Sequence, residues 1–164
     1  MTIRYSRKWV LIMPLFLIIF FIGLSCQTEK IFPVSKLRFG ISFTQDMSKE
    51  ALDGRMLLMI SADDSNEPRF QISDGPGTQL IFGIDVEGLK PGDTAIIDEV
   101  VLGYPLKNMS EIPPGEYSVQ GLFHIYETFN RADGHVVKMP MDRGEGQHWN
   151  RAPGNLYNIP NKVK

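Results

Sequence analysis

The sequence contains a single cysteine, Cys26, among its 164 residues. One thiol cannot close an internal disulfide, so no cross-linked framework holds this chain. Signatures of the common chemistries are missing as well. No serine stands in a G-x-S-x-G elbow, there is no glycine-rich phosphate loop of either common type, and neither H-E-x-x-H nor C-x-x-C occurs. Nothing in the pattern asks for a cofactor. The body also lacks a helix-length amphipathic run, a heptad, an internal repeat or a low-complexity block, which excludes bundles, coiled coils and solenoids.

What is present begins with an export signal. Arg4, Arg7 and Lys8 precede an apolar run over residues 9–24 that is interrupted only by Pro14. That run falls short of the roughly 20 residues a bilayer-spanning helix needs. Gly23 and Ser25 then lead into Cys26, and the whole resembles a bacterial lipoprotein signal, which implies lipidation at Cys26. Gly23 departs from that pattern, which has a branched aliphatic three residues before the cysteine; the other reading is an uncleaved signal anchor. Residues 1–26 are therefore expected to be the signal, residues 27–35 with Pro33 a tether, and residues 36–164 one domain in the cell envelope, on the periplasmic or surface side of the membrane that anchors it. The chain carries 17 Lys plus Arg and 19 Asp plus Glu, and residues 1–26 hold three of the cations and no acid, so the rest has a net charge of −5. An acidic body has no general attraction to nucleic acid.

Within the body the apolar residues alternate. Leu37, Phe39, Ile41 and Phe43 share one face of a strand over residues 36–44, as do Leu80, Phe82, Ile84 and Val86 over residues 79–87. Residues 55–62, RMLLMISA, are almost continuously apolar and suit an interior strand. A helical turn is expected over residues 45–53, and short strands over residues 69–72 and 94–103. Residues 104–114 read as a crossover between two sheets. From Tyr117 the chain alternates again, with Val119, Phe123 and Ile125 on the core side, and Asp133-Gly134 suits a hairpin turn into a strand over residues 135–139. The expected fold is all-β, an immunoglobulin-like antiparallel β-sandwich, and Tyr117, just after Pro-Pro-Gly, stands where such domains place a tyrosine corner.

Three sets of side chains offer chemistry. His124, His135 and His148 are of the type that binds zinc, but their spacing matches no ligand pattern, and solvent-facing strand residues are the plainer reading; no metal is expected. Asp63, Asp64, Asn66 and Glu67 carry oxygens of the kind calcium takes, without the glycine and terminal glutamate of the helical calcium loop, so a solvated turn is the plainer reading. The third set is the loop at residues 141–155, MDRGEGQHWNRAPGN. There Trp149 lies beside Arg143, Gln147, His148, Asn150 and Arg151, an aromatic surface next to fork-shaped donors that fits a sugar ring or a partner's carboxylates. The other reading is that Trp149 closes one end of the core while its neighbours cap backbone groups.

The succession from Pro113 to Tyr157, most specifically residues 129–157, resembles the N-terminal region of exported bacterial esterase-like proteins. In those, a β-rich segment precedes an α/β-hydrolase catalytic domain. The resemblance spans about residues 36–160 and implies an accessory module without catalysis of its own, partnered by a hydrolase domain. No position here matches that family's catalytic residues. A truncated chain is one expectation; a free-standing surface lipoprotein that binds glycan or peptide is the other.

Overall fold

In the computed structural model, which describes residues 37–75 and 77–164, ten strands follow one another. They are β1 Phe39–Ile41, β2 Leu52–Ser61, β3 Leu80–Leu89, β4 Ala95–Ile97, β5 Gly103–Tyr104, β6 Tyr117–Ile125, β7 Glu127–Asn130, β8 Val136–Met139, β9 Leu156–Tyr157 and β10 Asn161–Val163. Three single 3-10 turns, at Pro68–Phe70, Met109–Glu111 and Trp149–Arg151, are the only helical elements among the described residues. The all-β expectation therefore holds. Residues 1–36, which include Cys26 and the expected signal and tether, lie outside the described residues.

The near-continuous apolar run of β2 puts it at the centre. It pairs antiparallel with β3 on one side and β6 on the other, in a six-stranded sheet of order β10-β6-β2-β3-β5, with β9 also pairing with β6. Since successive side chains point to opposite faces, a buried central strand needs apolar residues on both. Met56, Leu58 and Ile60 go one way, with Phe82, Val119 and Phe123 from the flanking strands. Leu57 and Met59 go the other, with Leu122.

The first face is covered by a separate two-stranded ribbon, β1 paired with β4, in which Phe39 faces Ile97 and Ile41 faces Ala95. Together with Phe43 and with Met109 from the second 3-10 turn, these residues make the main core. The Phe43 and Phe123 rings meet tilted at 35° with centroids 6.1 Å apart. Each fully buried Phe, Leu or Met contributes about 1.5–3 kcal/mol on burial. The inward faces read for residues 37–43, 80–86 and 117–123 are those observed, although Ile125 is only half-buried.

Several local expectations give way. Residues 45–53 open with a single turn of helical type, the Met47 and Ser48 amides donating to the Thr44 carbonyl at 3.0 and 3.3 Å, and run on into β2, whereas residues 69–72 hold the Pro68–Phe70 turn in place of a strand. In the latter, Pro68 at the first turn position sets φ for a helical start and removes an amide that a strand would need. The strand expected over residues 94–103 splits into β4 and β5, which belong to different sheets. Residues 105–116 then join β5 to β6 within one sheet instead of crossing between two. The strands fall into groups of six, two and two, with β7 and β8 as an independent hairpin, whereas an immunoglobulin domain divides seven as four and three. One detail of that domain type is present. The Tyr117 hydroxyl donates a 2.7 Å hydrogen bond to the Pro113 carbonyl four residues upstream, the contact that defines a tyrosine corner.

Candidate functional site

The second face of the central sheet is covered over one half only, by the loop at residues 141–155 together with the Pro68–Phe70 turn. The loop is braced from within. Asp142 accepts from the Gly144 and Gly146 amides at 2.8 and 3.3 Å, and Glu145 accepts from the Arg143 amide at 2.8 Å. Gln147 takes φ 64°, the left-handed region uncommon outside glycine, next to Gly146 at φ 68°. This reversal turns the chain into the Trp149–Arg151 turn, where Trp149 packs against the cluster of Leu57, Met59 and Leu122, as Ile81 does. Trp149 is half-buried there, with one side against this second cluster and the rest of its ring open.

Asn150 is likewise turned inward. Its amide donates to the Arg69 carbonyl at 3.0 Å while the Arg69 guanidinium donates to the Asn150 carbonyl at 3.4 Å, a reciprocal clasp between the first and third 3-10 turns. Arg69 itself is held flat over the Tyr157 ring at 3.8 Å and the Phe70 ring at 4.3 Å. Its Nε donates to Glu67 at 2.8 Å. Beneath it lies Gln120, fully buried. The Gln120 amide donates to Glu67 and to the Asn158 carbonyl at 2.8 and 2.9 Å, and its oxygen accepts from the Arg69 amide at 3.1 Å. A buried amide with all these bonds made is stabilising, and leaving one unmade costs about 1–3 kcal/mol. The Arg69 contact first, and Gln120 second, hold the Glu67 carboxyl below the usual carboxylate range.

Arg143, Gln147, His148 and Arg151 remain on the outside of this braced loop, all exposed. Arg143 forms an ion pair with Glu127 of β7, which ties the loop to the hairpin. Beside that pair is a cavity of about 190 Å³ lined by His124, Glu127, Met141, Arg143 and Asn155 among others.

The uncovered half of the same face carries a row of ionisable groups that sequence reading did not bring together. Register sets Arg55 of β2 between His124 of β6 and Asp85 of β3. Arg55 donates to Asp85 at 2.8 Å and to the Gly83 carbonyl at 3.1 Å. His124 meets Tyr126 edge-on, with ring centroids 5.7 Å apart. Burial lowers the His124 pKa against an opposing pull from Glu145, and burial followed by the Asp85 charge raises that of Tyr126. The usable signal was in β2 and β3: Arg55, Asp85 and Glu87 are charged positions on the parity that elsewhere reads Leu57, Met59 and Ile81.

The metal candidates do not converge. Among the described residues no three His, Cys, Asp or Glu side chains are grouped as a metal ion requires. His135 lies in the β7–β8 turn against Asp133, and His148 sits at the edge of the third 3-10 turn. The oxygens at residues 63–67 are engaged in holding their own turn. Asp63 accepts from the Ser65 amide and hydroxyl at 2.8 and 2.9 Å, Asp64 pairs with Lys162, and Glu67 is bound as described. This is the solvated-turn reading.

As a whole, the face offers a rim of cations and donors at one end and carboxylates with an imidazole and a phenol at the other. Such a surface can bind and orient. No described helix is long and apolar enough to cross a membrane. Comparison with protein families, with characterised proteins and with solved structures finds no match.

Proposed function

We propose that this chain is an exported, lipid-anchored, non-catalytic β-module of the kind that precedes the catalytic domain in the esterase-like proteins it resembles. Its task is to dock against a hydrolase domain, or to present substrate to one, at the envelope. The observation that carries the docking role is the clasp between Arg69 and Asn150. It fixes the loop from below and leaves Arg143, Gln147, His148 and Arg151 exposed on its outside, so little backbone loop entropy is lost on contact. The anchorage rests on the basic start, the apolar run and Cys26.

Metabolic labelling of the full chain with palmitate in a bacterial host tests it. The expected result is labelled, membrane-associated protein, with label lost in Cys26→Ser; unlabelled protein in the soluble fraction overturns the anchorage. A second reading, a surface lipoprotein that binds glycan or peptide, is favoured by the cavity beside Arg143, with its imidazole, carboxylate and amide lining. Because Trp149 does not line that cavity, a sugar would be held there by polar groups rather than by stacking on that ring. Saturable binding on a glycan array, abolished by Arg143→Ala, supports this reading over the first.

A further inference from the structure

The outer edge of β3 is covered only at its start. β5 pairs with Ile81 and Phe82, and from Gly83 to Leu89 the strand has no neighbour on that side among the described residues. Within it the Gly83 carbonyl accepts from Arg55 and the Gly88 amide, at φ 61°, donates to Asp53, so the stretch open as a template for another chain is residues 84–87. Two of its side chains, Asp85 and Glu87, are two residues apart and so stand on the same face. They are 67% and 77% exposed. Each spends one oxygen on a neighbour, Asp85 on Arg55 at 2.8 Å and Glu87 on Lys138 at 3.3 Å, and each keeps its second oxygen without a partner among the described residues.

Directly beside them opens a cavity of about 390 Å³ whose walls include Tyr126 and Val136 as well as the two carboxylates and Lys138. Its lining suits a basic side chain. A lysine or arginine can lay its aliphatic stem against Val136 and the Tyr126 ring and bring its charge to the carboxylates. At the other end of the bare edge, next to β5, Leu102 and Val100 are 76% and 82% exposed and offer an apolar foothold.

We propose that the open edge of β3 accepts an extended, basic peptide segment of a partner protein as an added strand, with one lysine or arginine seated in the cavity between Asp85, Glu87 and Tyr126. Strand addition takes affinity from main-chain hydrogen bonds and specificity from pockets for alternate side chains, and both are present here. A second copy of this chain is the poorer occupant. Edge-to-edge pairing of two β3 strands brings Asp85 and Glu87 against their own kind, and like charges facing each other across a ladder are destabilising. The inference uses neither the 141–155 loop nor the anchorage at Cys26, and stands apart from both.

The test is titration of the full chain in detergent with three synthetic peptides: alternating Lys and Thr, the same with Glu for Lys, and the Lys peptide N-methylated at alternate amides. The expected result is saturable binding of the first, weakened by about ten-fold or more in the other two and in the Asp85→Asn/Glu87→Gln variant. Amide hydrogen exchange should slow across residues 84–87 when the Lys peptide is added to the unaltered protein. Equal affinity for the N-methylated peptide, unchanged exchange at 84–87, equal affinity for the acidic peptide, or self-association of the chain through this edge would each overturn the proposal. The exchange measurement needs no variant, so the test survives if the double substitution disturbs the fold.

Discussion

The two faces of the central sheet are built from the same strands and differ in almost everything else. On the first face, Met56, Leu58, Ile60, Phe82, Val119 and Phe123 lie under the β1–β4 ribbon and form one continuous apolar layer. On the second, the apolar part ends after Leu57, Met59 and Leu122, and Arg55, Asp85 and His124 take over in the next register row. A layer of apolar groups excluded from water is enough to hold a fold. A row of half-exposed charges contributes little to stability; it marks the part of the sheet face that is left to water.

The contrast is most exposed to failure on the first face. Phe123→Ala should cost about 3–5 kcal/mol in chemical denaturation, since it leaves a cavity against Phe43 in a layer with little freedom to collapse. A loss under about 1 kcal/mol would mean that this face is not the core. Gly54→Ala comes next, at about 1–3 kcal/mol. β2 shifts register at this point, and a β-carbon on Gly54 would fall on the His124 carbonyl oxygen, which is backbone and cannot swing away.

Smaller effects separate the two halves of the second face. Asn150→Ala should cost about 1–2 kcal/mol, because the Arg69 carbonyl loses its donor and the loop its clasp. The Asp85→Asn/Glu87→Gln pair should change stability by no more than about 0.5 kcal/mol, as surface substitutions away from packing do. If the acidic pair proved as costly as Asn150→Ala, the uncovered half would be structural and the division of the face would fail.

Much of the first face was legible because period-two alternation is a local signal. Phe39, Ile41, Phe82, Ile84, Val119 and Phe123 could each be assigned an inward direction from neighbours a few residues away, and the continuous run in β2 announced burial on both sides. The polar contacts of the second face were not legible, for a different physical reason. Arg69 and Asn150 are 81 residues apart, as the hydrogen bond between them spans, and Gln120 reaches Glu67 across 53. Nothing local marks such pairs. The loop at 141–155 stood out by composition, but which of its residues face inward depends on Leu57 and Leu122, which only the sheet register brings beneath it. The Pro68–Phe70 turn was missed because four residues of mixed polarity cannot distinguish a strand from a single 3-10 turn, though Pro68 pointed to the latter.

The gentlest probe of the boundary between the halves is pH. His124 sits, half-buried, in the first row of the uncovered half, and burial there disfavours its charged form. Its folded pKa is therefore below the ordinary value near 6.5. With the folded value depressed for a base, the unfolded chain takes up the proton first as pH falls. Stability is then full above about pH 6.5 and declines as pH drops from there to the folded midpoint, below which the loss is complete and constant. The His124 ring protons, followed by NMR, should titrate below 6.5, and Glu145→Gln should move the midpoint further down, because Glu145 is the charge that opposes the effect of burial. A midpoint at or above the ordinary value would mean that the His124 ring is not desolvated, and that the uncovered half is open to water right up to the Leu122 row.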